Sequence, residues 1–114
     1  MRIELDKNDV STLIKIAQKI IEAIDKEKKQ LFEIYDYGEI CRFRASSFLF
    51  KEPETIAWID SFNLEDSFLD IGANIGMYSL YAATKGIRTT SIEPDALNFA
   101  LLNMNIKNNN FGKL

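Results

Sequence analysis

The second half of the chain alternates between short apolar runs and amphipathic segments, and glycines separate several of them. This pattern predicts a buried strand at about residues 67 to 71 and a second strand at about residues 88 to 93. Each strand is followed by a predicted helix, at about residues 75 to 85 and 95 to 107, and Gly86 ends the first of these helices. Parallel strands need crossover connections, so the order β-α-β-α predicts a parallel sheet covered by helices.

The first half of the chain follows another pattern. Apolar residues recur at spacings of three and four, which predicts one amphipathic helix over about residues 9 to 30, capped by Asn8. Residues 39 to 50 are rich in aromatic and branched side chains and partly alternate in polarity, as expected of a strand or a strand pair. The sequence Glu-Pro-Glu at residues 52 to 54 then predicts the start of a short helix.

Composition and charge narrow the class of protein. Hydrophobic residues make up 46% of the chain and charged residues 27%, the balance of an ordinary globular protein. The net charge of −3 disfavours a nucleic-acid partner. No apolar run approaches membrane-spanning length and the first residues lack signal-peptide features, so we expect a cytoplasmic protein with no membrane partner. Cys41 is the single cysteine and histidine is absent, so we expect neither an internal disulfide nor a metal site of the structural zinc kind.

The candidate chemistry lies where the two predicted strands end, because ligands of parallel sheets bind outside the carboxyl ends of the strands. Asp70 lies at the tip of the first strand, Gly72, Asn74 and Gly76 follow it, and Glu93 ends the second strand. A dinucleotide-binding G-x-G-x-x-G motif fails at two of its three glycines, and no Lys-Ser or Lys-Thr pair of a P-loop is present. The failed glycine spacing disfavours an NAD-dependent oxidoreductase.

The chain does contain the motif D-I-G-A-N-I-G, which begins at Asp70, and a second acidic residue, Glu93, follows 23 positions later. It resembles the S-adenosylmethionine site of class I methyltransferases, with Asn74 in place of the middle glycine. Together with KEPETIAWID before it and SIEPDALNFALLNMNIKNNN after it, the motif resembles the FkbM family of methyltransferases over roughly residues 51 to 110. The resemblance implies a Rossmann-like α/β fold, S-adenosyl-L-methionine as cofactor and, as activity, O-methylation of a sugar or another small hydroxylated metabolite.

Each motif residue has an expected role. Gly72 and Gly76 let the backbone approach the methionine part of the ligand, and Asp70 attracts the ammonium group of the ligand. The two carboxylate oxygens of Glu93 accept hydrogen bonds from both hydroxyls of a ribose, and Asn74 serves the turn because Asn tolerates a left-handed conformation. The predicted cofactor-binding residues are Asp70, Gly72, Ala73, Asn74, Gly76, Glu93 and Pro94.

These features also have purely structural interpretations, which stay open at this point. Two glycines between a strand and a helix are often only a tight turn. An acid at the end of a strand is as often a helix cap, and Glu-Pro-Asp can simply start the next helix. The joint spacing and the family resemblance favour the ligand site.

The resemblance also suggests how the chain is organised. Residues 1–50 are predicted to form an N-terminal helix and strand cap, and residues 51–114 the first half of an S-adenosylmethionine-binding domain. In such enzymes the acceptor pocket and any base come from later segments, so we expect this half alone to be inactive, and the sequence identifies no catalytic residue and no oligomeric state. Two hypotheses remain: the cofactor-binding portion of an FkbM-type methyltransferase, or a non-catalytic S-adenosylmethionine-binding or interaction module.

Overall fold

The computed structural model describes residues 20–24 and 30–110, which form a mixed α/β arrangement. The elements in chain order are β1 (Ile20–Ile24), β2 (Gln30–Tyr35), α1 (Glu39–Lys51), α2 (Pro53–Asp60), β3 (Ser67–Ile71), α3 (Met77–Thr84), β4 (Arg88–Ile92) and α4 (Ala96–Asn108). Strands β1 and β2 pair antiparallel, and strands β3 and β4 pair parallel. The predicted order β-α-β-α in the second half is therefore confirmed.

The parallel pair is covered by α3 on one face. Ser79 of α3 hydrogen-bonds to Asp70 of β3 and to Ser91 of β4, which places α3 against that face. The opposite face of β3 is open among the described residues, where Leu69 and Ile71 are 55% and 73% exposed. The prediction of a buried strand at residues 67 to 71 is thus correct for one face only, because one helix can cover only one side of a sheet.

The helix boundaries follow local sequence signals. Pro53 stands in the first turn of α2, as predicted. Proline is tolerated there because the N–H groups of the first turn have no acceptor within the helix. Asp95 caps α4, and its side chain accepts a hydrogen bond from the Asn98 N–H at 2.9 Å. Helix α3 begins at Met77, two residues later than predicted, because Gly76 takes a left-handed conformation.

The prediction of one helix over residues 9 to 30 is wrong in the part that the structure describes. Residues 20–24 and Gln30 lie in strands, while residues 9–19, residues 25–29 and the predicted cap Asn8 lie outside the described residues. β-Branched isoleucines at residues 20, 21 and 24 favour strands, and the pairing of β1 with β2 decides between the two conformations. The spacing of the apolar residues alone did not distinguish a short strand from the apolar face of a helix.

The prediction of a strand or strand pair over residues 39 to 50 is also wrong, because this segment is helix α1. Its buried residues are Cys41, Ala45 and Phe48, which are four and three positions apart and so share one helical face. Ile40 and Phe43 are exposed on the rest of the helix, and their apolar character conceals the helical period. The aromatic content of the segment therefore does not indicate a strand.

One apolar core joins the elements before and after residue 50. Phe32 and Ile34 of β2 and Phe48 of α1 belong to the same buried cluster as Leu80 and Tyr81 of α3. Asn105 of α4 is fully buried, and its Oδ1 accepts from the Tyr35 N–H at 2.8 Å while its Nδ2 donates to the Ile75 carbonyl at 2.8 Å. Residues on both sides of the predicted domain boundary therefore pack together.

Candidate ligand-binding site

The turn between β3 and α3 contains three residues in the left-handed region. Gly72 has φ +77°, Asn74 has φ 55° and Gly76 has φ +101°. Asn74 also donates from Nδ2 to the Gly72 carbonyl at 3.0 Å, so its short amide side chain supports the turn that its backbone makes. The predicted left-handed role of Asn74 is confirmed.

The end of β4 holds this turn in place. The N–H groups of Gly72 and Ala73 both donate to the Ile92 carbonyl, at 2.8 and 3.0 Å. The Asn74 N–H donates to Oε1 of Glu93 at 2.9 Å. Three successive backbone donors of the turn are therefore already engaged within the chain, which differs from a phosphate-binding loop, where such N–H groups face the ligand.

Glu93 joins the turn to the next helix. Its Oε1 accepts from Asn74, and its Oε2 accepts from the Asp95 N–H at 3.0 Å. Each carboxylate oxygen has a second lone pair, so Glu93 keeps the capacity to accept two further hydrogen bonds from outside the chain. Pro94 is exposed between Glu93 and the helix cap Asp95. The structural and the ligand-binding interpretation of Glu93 are thus compatible.

Asp70 lies half-buried at the end of β3, where Ser79 binds it. Its Oδ2 accepts from the Ser79 hydroxyl at 2.6 Å, and the Ser79 and Ser91 hydroxyls are 2.6 Å apart. The chain from Asp70 through Ser79 to Ser91 links both parallel strands to α3. Asp70 therefore has a clear structural role on this face of the sheet.

Gly72 and Gly76 differ in their surroundings. A Cβ added at Gly72 would meet no atom within 4 Å, whereas one added at Gly76 would stand 2.6 Å from Cδ1 of Leu102. Gly76 is buried against α4, so its packing and its positive φ explain the glycine without a ligand. Gly72 is exposed and has open space in front of it, so it leaves room for the approach of a ligand.

A cleft of about 380 Å³ opens beside the turn, between it and helix α1. Three predicted site residues, Gly72, Ala73 and Asn74, line it. Asp70, Gly76, Glu93 and Pro94 are outside this lining. The remaining residues around the cleft are Ile40, Phe43, Arg44, Ser47, Phe48, Lys51, Glu52, Met77 and Tyr78.

Sequence reasoning missed the polar pair in this cleft. The Tyr78 hydroxyl donates to Oε2 of Glu52 at 2.9 Å, which connects the start of α2 to the start of α3. Desolvation by burial and the hydrogen bond to Glu52 raise the pKa of Tyr78 from 10.0 to about 12, so the phenol stays a protonated donor in mildly alkaline solution as well as at neutral pH. The signal that could have found Glu52 is its place in the KEPETIAWID segment of the family resemblance.

Comparison with models of protein families, with curated proteins and with solved structures finds no match for this chain. Within residues 20–24 and 30–110, no group of three or more Cys, Asp and Glu side chains is arranged to hold a metal ion. No helix in the described part of the chain is long and apolar enough to cross a membrane.

Proposed function

We propose that the chain binds S-adenosyl-L-methionine at the carboxyl ends of β3 and β4, as the cofactor-binding portion of a methyltransferase of the FkbM type. The proposed reaction is O-methylation of a sugar or another small hydroxylated metabolite, and the fold proposed for the parallel pair and its helices is the first half of a Rossmann-like class I methyltransferase. The motif residues and the geometry around them support this proposal.

One observation carries the proposal. Gly72 follows a parallel strand directly, has a left-handed φ of +77°, and has open space where a side chain would begin. Glu93, the acid expected to bind a ribose, directly follows the neighbouring parallel strand and is joined to the same turn through Asn74. A nucleoside-containing ligand requires two features of this kind of sheet: a glycine with open space after one strand, and an acidic residue at the end of the adjacent strand.

The charges around the turn favour a cationic ligand over a phosphate. Glu52, Asp70 and Glu93 are carboxylates at or near the turn, and the N–H groups of residues 72 to 74 already have acceptors within the chain. At the turn itself, a pyrophosphate would meet these carboxylates and few free N–H donors, whereas a sulfonium ion would be attracted; the cations Arg44 and Lys51 lie on the α1 wall of the cleft. This supports S-adenosylmethionine over the dinucleotide NAD.

In this proposal, the cleft side of the turn at Gly72 and Ala73 receives the methionine part of the cofactor, and Glu93 binds the ribose. When bound, S-adenosylmethionine supplies an electrophilic methyl group on its sulfonium. The residues of this chain bind and orient the cofactor.

Isothermal titration calorimetry of the full chain with S-adenosylmethionine, S-adenosylhomocysteine and NAD tests the binding proposal. We expect both adenosyl amino acids to bind and NAD to show no comparable heat. Binding of NAD with equal or greater affinity would contradict the choice of cofactor. Labelled S-adenosylmethionine and a panel of hydroxylated small molecules then test for methyl transfer.

Gly72→Ala, compared with Gly86→Ala, tests whether the turn itself is the binding site. Both glycines have a positive φ, +77° and +80°, so each substitution costs a similar backbone strain of about 1–2 kcal/mol. Only Gly72 lines the cleft, so only Gly72→Ala should weaken binding of S-adenosylhomocysteine, by about tenfold or more. Equal affinity in the two variants would make the turn purely structural.

A further inference from the structure

The cleft has one wall formed by a single face of α1. Ile40, Phe43, Ser47 and Lys51 follow one another at three or four residues along the helix, and all of them line the cleft together with Arg44. The buried face of α1 lies beside this one, and Phe48 belongs to the buried face while also lining the cleft. Toward the turn that contains Gly72, helix α1 therefore presents the apolar side chains of Ile40 and Phe43 and the cationic side chains of Arg44 and Lys51.

The cations on this wall form no ion pair within the described part of the chain. Arg44 makes no ion pair with any described residue, and Lys51 lies over the ring of Phe43 with its Nζ 6.0 Å from the centroid. The two residues are seven positions apart, about two turns or roughly 10 Å along the helix, so both reach the same side. An anionic group in the cleft would find two donors there.

The anion of the cleft is Glu52. The Tyr78 hydroxyl at 2.9 Å and the Thr55 hydroxyl at 3.4 Å both point to its Oε2. No hydrogen bond within the described residues reaches Oε1, which leaves this oxygen free to accept from a ligand. Asp70, the acid expected to attract the ammonium group, is instead bound by Ser79 and does not line the cleft.

We propose that this cleft binds an α-amino acid zwitterion, with Glu52 accepting hydrogen bonds from the ammonium group and Arg44 and Lys51 binding the carboxylate. The inference rests on the proposed function, since it makes the cleft the site of the methionine part of S-adenosylmethionine. It assigns the ammonium group to Glu52, at the start of α2, in place of Asp70 at the end of β3.

The first test removes the negative charge of Glu52. The full chain and its Glu52→Gln variant are titrated calorimetrically with S-adenosylhomocysteine and with methylthioadenosine, which keeps the nucleoside and lacks the amino acid part. A hydrogen bond to a charged group contributes roughly 1.5–3 kcal/mol, so the variant should bind S-adenosylhomocysteine about tenfold to a hundredfold more weakly. Its affinity for methylthioadenosine should not change.

Glu54→Gln is the matched control, because it removes the same charge two residues away from an exposed side chain that does not line the cleft. It should leave both affinities unchanged. Urea unfolding of each variant checks that Glu52→Gln is folded, and Tyr78→Phe gives a second route to the same result. Tyr78→Phe removes the nearer of the two hydroxyls that bind Glu52, so it should also weaken the binding of S-adenosylhomocysteine and not that of methylthioadenosine.

The second test addresses the cations. The unaltered chain should bind S-adenosylmethionine more tightly than its decarboxylated analogue, by about tenfold. The double variant Arg44→Gln with Lys51→Gln should lose this preference, because it has no cation left for the carboxylate.

Each other outcome has a definite meaning. If Glu52→Gln weakens the binding of S-adenosylhomocysteine and of methylthioadenosine equally, or weakens neither, the zwitterion site is overturned while the proposed function stays in place. Methylthioadenosine binding as tightly as S-adenosylhomocysteine in the unaltered chain would do the same. If the unaltered chain binds no adenosyl compound at all, the proposed function fails, and the inference fails with it.

Discussion

Asn109 pairs with the backbone of Glu33 as a neighbouring strand would. Its Oδ1 accepts from the Glu33 N–H at 2.9 Å and its Nδ2 donates to the Glu33 carbonyl at 2.6 Å. One turn earlier on α4, Asn105 accepts from the Tyr35 N–H at 2.8 Å. Four helical residues rise about 6 Å and two strand residues about 6.6 Å, so the two asparagines match alternate residues of β2. The asparagine-rich end of α4 thus pairs with an edge of this strand.

Asn109→Ala should destabilise the fold. The substitution removes the two hydrogen bonds that Asn109 makes with the backbone of Glu33, and their loss costs about 1–3 kcal/mol where water does not replace them. We expect a loss of this size in the free energy of unfolding, measured with urea. Asn103→Ala is the control, because the Asn103 amide only donates to the Phe99 carbonyl of its own helix. Equal losses would show that the pairing with β2 contributes nothing.

Glu93→Gln should weaken binding of S-adenosylhomocysteine by about tenfold to a hundredfold, because the carboxylate is the proposed acceptor for the ribose hydroxyls. The glutamine can still accept from the Asn74 N–H through its remaining carbonyl oxygen, so the turn should persist, although its amide NH2 can no longer accept from the Asp95 N–H. Glu93→Ala loses this bond too and should be both less stable and weaker in binding. Calorimetry checks the affinities.

Glu65→Gln is the control for Glu93→Gln, because it removes the same charge from an exposed side chain. An affinity for Glu93→Gln equal to that of the control would remove Glu93 from the proposed site.

Gly76→Ala should cost more stability than Gly86→Ala. Both substitutions place a side chain at positive φ, but the new Cβ at residue 76 stands 2.6 Å from Cδ1 of Leu102, against 3.4 Å from Cδ2 of Leu64 at residue 86. Overpacking of a buried contact adds about 1–3 kcal/mol to the backbone strain. Combining Gly76→Ala with Leu102→Ala should recover about 1 kcal/mol in a double-mutant cycle. If the two substitutions change the free energy of unfolding additively, the close contact between residues 76 and 102 is relieved without cost.

Asp60→Asn should lower stability at neutral pH, and the difference should vanish in acid. Partial burial raises the pKa of Asp60, but the hydrogen bonds from Lys85 and Tyr81 outweigh it, so the pKa lies below its ordinary 3.8. A lowered carboxyl pKa stabilises the fold above pH 3.8, and this contribution is lost as the pH falls through the lower, folded value. The carboxylate is 45% exposed, so we expect less than about 1 kcal/mol.

Thermal unfolding at a series of pH values measures this effect, with Glu65→Gln as the control for loss of one exposed negative charge. A stability difference for Asp60→Asn that stays constant down to low pH would contradict the role of the charged pair with Lys85.

The sequence by itself determined the order β3, α3, β4, α4, the left-handed turn at Asn74 and the start of a helix at the Glu-Pro-Asp of residues 93 to 95, where the structure shows Asp95 as the cap. These features depend on residues within a few positions of one another: the period of the apolar side chains, the torsions that Gly and Asn allow, and the oxygen that caps a helix. It also indicated three of the residues that line the cleft, because strand ends and the turns after them are local features.

Only the tertiary structure decided the rest. Helix α1 carries apolar residues on two faces, one toward the core and one toward the cleft, so its sequence resembled a strand until its neighbours were in place. Tyr78 reaches Glu52 across 26 positions, and Asn109 reaches Glu33 across 76. The sequence shows each donor and each acceptor but not which of them meet, because such contacts are set by the packing of whole elements against one core.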